Sequence, residues 1–247
     1  MKKVVTAVAV FIAVYTVFLV VNAPASILTY GAKLPKNIAL HNFSGTLWQS
    51  HVERVDVDKF SVFDVNAQLS PLSLALLTPT VKVTFGGGLY EGPQGQGVIS
   101  TDGERIDIIG AELEVAANTI APFINSPIPV QAFGLIRANI ERFDYQAGQC
   151  SNASGHVKWL NAALSAMGEQ VELGQFDAEL ACVDNLLTLN IQPTNKLGLS
   201  FSGQLMKNGR LSGSGFIKPG AGFPSKLREL LSFLGKPDQQ GRYRIHI

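Results

Sequence analysis

Histidine and cysteine, the side chains that most often carry chemistry, are scarce here: four of one and two of the other among 247 residues. His41, His51, His156 and His246 are scattered along the chain. A metal centre needs three or four donors that converge. Only His51 has a carboxylate at strand spacing, Glu53, and two candidate ligands do not make a site. No metal and no cofactor are therefore expected. No Gly-x-Ser-x-Gly elbow supplies a hydrolase serine. The glycine-rich stretch from Gly86 to Gly97 lacks a following Gly-Lys-Ser/Thr and opens no helix, so those glycines read as turns and bulges rather than a phosphate cradle. Glu112 and Glu114 share a strand face, but nothing sets their acidities apart as an acid–base pair requires. Asn152-Ala153-Ser154 matches a glycosylation sequon as a chance occurrence. The chain reads as a protein that is not an enzyme.

Charge is scarce as well. Asp, Glu, Lys and Arg make up 16% of the chain, and the net charge is +1. Setting aside Lys2 and Lys3 leaves 18 basic residues against 19 acidic ones. No basic stripe interleaves with aromatics, so a nucleic-acid partner is excluded. With 24 glycines and abundant Val, Leu, Ile and Phe, the body reads as β-structure rather than disorder.

What is abundant at the N-terminus is apolar length. Val4 to Val21 runs eighteen residues without a charge. As a helix at ~1.5 Å per residue it covers about 27 Å, close to the hydrocarbon thickness of a bilayer. Lys2 and Lys3 precede it and no Lys or Arg follows until Lys33, an asymmetry that holds the N-terminus in the cytoplasm. The reading is a cytoplasmic tail over residues 1–3, a transmembrane helix over 4–21, a juxtamembrane linker over 22–36 and an exported β-rich domain over 37–247. Asn22 to Ala25 is a kink, and Ser26 to Leu34 one or two interfacial helical turns ended by Pro35. A cleaved signal peptide is the rival, since Ala23-Pro24-Ala25 suits cleavage after Ala25; the length of the apolar run favours the anchor. Both readings export the body. In an oxidising compartment its two cysteines, Cys150 and Cys182, are expected to form a disulfide rather than a redox or metal site.

Beyond the linker, period-two alternation dominates. Phe63, Val65, Ala67 and Leu69 alternate with polar residues, as do Ala111, Leu113 and Val115. The same holds for Leu187, Leu189 and Ile191 and for Tyr243, Ile245 and Ile247, while Phe176, Ala178, Leu180 and Cys182 alternate with Asp177, Glu179 and Ala181. Each run predicts an antiparallel strand with one apolar and one wet face, which puts Cys182 inward and Arg242 and Arg244 on the wet side. Turn signals separate the runs: Gly86 to Gly88, Gly92-Pro93, and the dipeptides Asp102-Gly103 and Asn208-Gly209, which suit type I′ hairpins. Hairpin order without long helices between strands predicts a meander. Trp48 and Trp159 read as core residues near strand starts. Ser44-Gly45, Ser154-Gly155 and Ser202-Gly203 read as a loose repeat placing Ser-Gly just before a strand. Helix is expected where Leu227, Leu230, Leu231 and Leu234 follow a 3.6-residue period, started at Pro224-Ser225, capped by Gly235 and laying one apolar stripe on the sheet. Shorter helices are expected over Ser70–Leu77 and Asn118–Ile124.

The motifs in order carry a resemblance. Ser44-Gly45-Thr46-Leu47-Trp48 follows the anchor. Next come Gln68-Leu69-Ser70-Pro71-Leu72-Ser73-Leu74, the leucine helix, and Leu234-Gly235-Lys236-Pro237-Asp238-Gln239-Gln240-Gly241-Arg242-Tyr243. Together they resemble protein N of the bacterial type II (general) secretion pathway over nearly the whole chain. Ser50 stands where that family usually has Gly. The resemblance implies a bitopic inner-membrane protein of Gram-negative bacteria with a periplasmic β-rich domain. Its partners would be other secretion proteins, met while folded exoproteins cross the outer membrane, and it implies no catalytic residues. Its likeness to AsmA-like envelope proteins, whose curved sheets form lipid grooves, makes lipid the alternative ligand; that is an analogy of architecture. The fold expected is mainly β: an antiparallel meander, open groove or sandwich-like, with a short helix before the last strand.

Overall fold

The computed structural model describes residues 2–27, 38–57, 60–87, 92–121, 130–166, 169–206 and 210–246. They fall into two compact units, Met1–Glu91 and Gly92–Ile247. Helix α1 (Lys2–Val21) opens the first and is long and apolar enough to cross a membrane. Four strands follow: β1 (Ile38–Gly45), β2 (Gln49–Val57), β3 (Phe60–Leu69) and β4 (Thr80–Phe85), each antiparallel to the one before. A five-residue helix, α2 (Pro71–Ala75), sits in the β3–β4 connection.

The second unit is a nine-stranded meander. It comprises β5 (Gln94–Thr101), β6 (Arg105–Ala116), β7 (Val130–Gln146), β8 (Gln149–Ala166), β9 (Glu169–Val183), β10 (Leu186–Ile191), β11 (Leu199–Leu205), β12 (Leu211–Ile217) and β13 (Tyr243–His246). Every successive pair is antiparallel. Helix α3 (Ala117–Ile120) follows β6. Helix α4 (Ser225–Arg228), continued by a 3₁₀ turn (Glu229–Leu234), precedes β13. The fold is the expected antiparallel meander with an apolar N-terminal helix and a short helix before the last strand.

Register explains why one face stays apolar across so many strands. One row of cross-strand neighbours reads Gly95, Leu113, Ala138, Val157, Ala178, Ile191, Phe201, Gly215, Ile245. The opposite face carries Gln94, Glu114, Arg137, Lys158 and Asp177 in one row. Long strands twist, and an unbroken register would carry side chains off the core; two seams correct this. Gly97, Gly110 and Glu141 drop out of the ladder side by side; at the second seam Gly134 and Asn161 drop out, Ala162 pairs with Gly174, and Leu173 is left over in β9. Gly110, Gly134, Asn161 and Gly174 all have positive φ. At each seam the alternation slips by one residue, so Ile106 and Ile108 share a face with Leu113 and Val115. In β9, Val171 and Leu173 likewise share one with Phe176 and Ala178. The buried centre is Ala162, Leu173 and Phe176, with Trp159, Leu164, Val171 and Leu227 packed on it. The Trp159 and Phe176 rings lie 5.5 Å apart.

Several expectations are corrected in detail. Ser44-Gly45 ends β1 and Thr46 to Trp48 form a turn, whereas Ser154-Gly155 and Ser202-Gly203 lie inside β8 and β11, so the Ser-Gly motifs mark no common unit. At Asp102-Gly103 only Gly103 has positive φ (98°); the Asp102 side chain caps the loop by accepting from the Glu104 and Arg105 amides. Among the described residues, the hairpins with two left-handed residues are Ala147-Gly148 and Asp184-Asn185. Asn208-Gly209, residues 28–34, Gly88, Ile247 and the end of the Asn118–Ile124 helix lie outside the described residues. The leucine helix tightens to 3₁₀ after one turn, which rotates its stripe. Leu227 and Leu231 pack inward, while Leu230, Phe233 and Leu234 remain exposed.

Candidate functional site

The first site is the junction where α1 meets the sheet. A helix leaves its last carbonyls without intrahelical partners. The indole N–H of Trp48 donates to one of them, Val20 (2.9 Å), which also accepts from the Ala23 amide. The Leu47 amide donates to the Ala23 carbonyl (2.8 Å), the Ala25 amide to the Gly45 carbonyl (3.1 Å), and Pro24 bridges Thr46. Ala25 is buried beneath this clasp. Gly45 permits the turn: its φ is 94°, and a Cβ there would stand 2.3 Å from the Gln49 carbonyl oxygen. Gly-Thr-Leu-Trp is thus a loop that grips the end of the apolar helix. Trp48, expected as a core residue, is half-buried and acts as a hydrogen-bond donor at this joint.

The Ser-Pro-Leu step and the terminal Gly-Arg-Tyr are local folding devices too. Ser70 caps α2 by accepting from the Ser73 amide, Pro71 occupies its first turn, and the Ser73 hydroxyl accepts from the Thr80 amide, closing the connection. Before β13, the Asp238 carboxylate accepts from the amides of Gln240 and Arg242 and from the Arg242 guanidinium (2.8 Å). Hydrogen bonding from the Arg242 backbone, with further help from its side chain and from Gln240, holds that carboxyl below its ordinary value. Arg242 also lies over the Phe216 ring, 4.3 Å from its centroid, so it belongs to the loop rather than standing free on the wet face.

Cys150 and Cys182 are bonded, with Cα atoms 5.7 Å apart. The bridge ties the start of β8 to the end of β9 beyond their last register pair, Ser154 and Ala181. The other candidate residues do not converge. His51 meets Asn66 and Glu53 meets Asn42, because left-handed residues at Asn42 and Asp64 shift the strand faces between them. His41 pairs with Asp56 (2.8 Å). The Asp56 carboxyl is lowered by the hydrogen bond from Ser61, with His41 and Arg54 contributing. Glu112 accepts from Gln96 and Glu114 from Gln94 and Arg137, structural partners along the polar face that lower the Glu114 carboxyl. Among the described residues no three His, Cys, Asp or Glu side chains cluster as metal ligands.

Apolar helix, clasp and two-faced sheet define a β-meander scaffold presented at the end of a hydrophobic segment. Comparison with known proteins gives that class a family. The sequence profile of "Type II secretion system (T2SS), protein N" matches residues 36–246, and the chain belongs to this family. The type II secretion system protein N of Aeromonas hydrophila is 28% identical over 253 residues, covering 99% of this chain and 98% of the relative. The protein of the same name from Vibrio cholerae is 28% identical over 91% of this chain and 89% of the relative. That from Pectobacterium carotovorum is 26% identical over 96% and 93%. No solved structure matches the chain. The three motifs that carried the resemblance are the clasp, the α2 cap and the Asp238 loop.

Proposed function

We propose that this protein is an accessory component of type II secretion, anchored in the inner membrane by α1. Residues 1–3 lie in the cytoplasm, 4–21 span the bilayer, 22–36 link, and 37–247 occupy the periplasm. It contributes to export of folded proteins through contacts with other secretion proteins rather than through catalysis. The observation that carries this reading is the extent of the family match. It begins at residue 36, where the proposed linker ends, and runs through β13. Basic residues only at the start of α1 support the orientation. The outer edge of β13 offers main-chain donors and acceptors for a partner strand. Alkaline phosphatase fused after Ile247 should be active and a fluorescent protein fused there dark; the reverse pattern refutes the topology. Photocrosslinking residues at Arg244 and His246 should capture other secretion components in secreting cells, and a chain that captures none there refutes the contact reading.

A second reading has its own observation. Ile99, Ile106, Tyr145, Leu205 and Leu211, all on the apolar face of the second unit, remain exposed. A hydrophobic ligand in the envelope, a lipid, would cover them. Native mass spectrometry of the protein released from detergent should then show a bound lipid mass, and a clean apo mass refutes it.

A further inference from the structure

We infer that the β3–β4 connection is a second membrane contact, a leucine knob that enters the outer face of the bilayer beside α1; this rests on the anchor reading above. The knob carries Leu72, Leu74, Leu76 and Leu77, all exposed, with Leu77 at 81% and Leu72 at 71%. No charge occurs between Asp64 and Lys82. Leu77 also has φ 58°, a left-handed conformation that a leucine adopts only at a cost. That turn is closed within the connection, where the Thr78 amide donates to the Ser73 carbonyl (3.0 Å); it is the exposure of four leucines that calls for something outside the sheet.

The position of the knob within the first unit selects lipid as that partner. In an antiparallel meander the end of β1, the start of β2, the end of β3 and the start of β4 lie at one end of the sheet. That end is the one clasped to α1. The connection is short and direct: Trp48 donates from its indole to Val20, and its own carbonyl accepts from the amide of Leu69, the last residue before the knob (3.0 Å). The Ser70 amide then bonds the Thr80 carbonyl (3.0 Å), so the knob is pinched at its base and projects as a unit. An apolar surface starting two hydrogen bonds from the exit of a membrane helix meets the bilayer first. The knob also lacks what a protein-binding core prefers: it has no aromatic side chain and no arginine. Exposed leucines on a short connection beside a half-buried tryptophan match a shallow interfacial insertion.

The test uses the full chain in vesicles of phosphatidylethanolamine and phosphatidylglycerol. An environment-sensitive fluorophore is placed on single cysteines, Leu77→Cys in the knob, Val14→Cys in α1 and Ala39→Cys as control. Ala39 is exposed near the far end of β1, about 20 Å from Gly45 at strand rise. Nitroxide groups on the lipid chains, shallow or deep, then quench whatever lies in the bilayer. The knob should show a blue-shifted emission and loss of intensity with shallow nitroxides, Val14 loss with deep ones, and Ala39 neither. A Leu77 probe as wet and unquenched as Ala39 overturns the inference while leaving the anchor intact if Val14 is quenched. A blue-shifted but unquenched Leu77 probe also overturns it, because protein then covers the knob. An unquenched Val14 removes the anchor itself. As a second variant, Leu72→Asn with Leu76→Asn should keep the melting temperature and weaken quenching at Leu77; unchanged quenching there counts against the knob.

Discussion

Reducing the Cys150–Cys182 bridge should cost the second unit a large share of its stability, and the size follows from chain separation. The two cysteines are 32 residues apart. In the chain-entropy relation, closing a loop of that length removes about 12 cal/mol/K from the unfolded ensemble, or roughly 3.7 kcal/mol at 25 °C. A domain of 150–250 residues shifts its melting temperature by about 2–4 °C per kcal/mol, so the expected loss is about 7–15 °C. Cys150 is fully enclosed, so substitution should also disturb packing, and the clean comparison is one sequence oxidised and reduced. Thermal melts of the protein with and without a thiol reductant, with Trp159 emission as the reporter, provide the measurement. The double variant Cys150→Ser with Cys182→Ser should melt at or below the reduced wild type and ignore the reductant. A reductant shift below about 2 °C would refute the reasoning, because the β8–β9 pairing would then persist in the unfolded chain and leave the bridge nothing to restrict.

Trp48→Phe keeps a ring but deletes the donor to Val20. Because Val20 still accepts from Ala23, the cost should lie at the low end for a hydrogen bond, about 0.5–1 kcal/mol, with faster hydrogen exchange at the Leu47 amide as the local readout. Gly134→Ala places a Cβ 2.3 Å from the Leu160 carbonyl oxygen at φ 104° and should cost upward of about 1–2 kcal/mol, read as a lower urea midpoint; an unchanged midpoint removes the second seam from the account. Acid should loosen the Asp238 loop. That carboxyl is held below its ordinary 3.8, so its stabilisation is complete above the unfolded value and is lost as pH falls through the lower folded one. Amide exchange at Gln240 and Arg242 should therefore quicken only below about pH 4, and Asp238→Asn should abolish that pH dependence.

Fold class was legible because alternation is a property of any half-buried strand, and the runs at 111–115, 176–182 and 187–191 are uninterrupted. Turn chemistry was legible only where glycine announced it. Ala147-Gly148 and Asp184-Asn185 make the tight hairpins, yet neither stands out beside Asp102-Gly103, where an aspartate cap builds a different loop. The disulfide followed from the cysteine count together with the oxidising compartment that the anchor reading proposes. The clasp was legible as a motif but not as a mechanism: a Trp after Gly-Thr-Leu reads as core until the helix end that needs its N–H is seen. Asp238 carries the densest side-chain bonding of the last loop and left a single signal, an acidic residue four before an arginine with glycine between.

The longest strands were the least legible, and the seams are why. Read alone, β7 changes phase: its core-facing Ala132, Ile136, Ala138 and Ile140 are even-numbered, Phe143 and Tyr145 are odd, and Phe133 and Leu135 place further apolar side chains on the other face. A single-period scan sees short fragments where there is one strand of 17 residues. The change in β7 falls at Glu141, which drops out of the ladder opposite Gly110 of β6, and β8 and β9 make theirs together at Asn161 and Leu173, so the slips line up across neighbouring strands rather than scattering. Aligned bulges bend a sheet along a line, whereas scattered ones would only weaken it. The same slips return apolar side chains to one face after each bend, so the oily side runs from β5 to β13 without crossing over. A meander that keeps one face apolar over nine strands, with only a short helix among the described residues against its centre, leaves part of that face exposed. The exposed Ile106, Leu205 and Leu211 are therefore a consequence of how the sheet is built, and a lipid or a partner surface is what the architecture leaves room for.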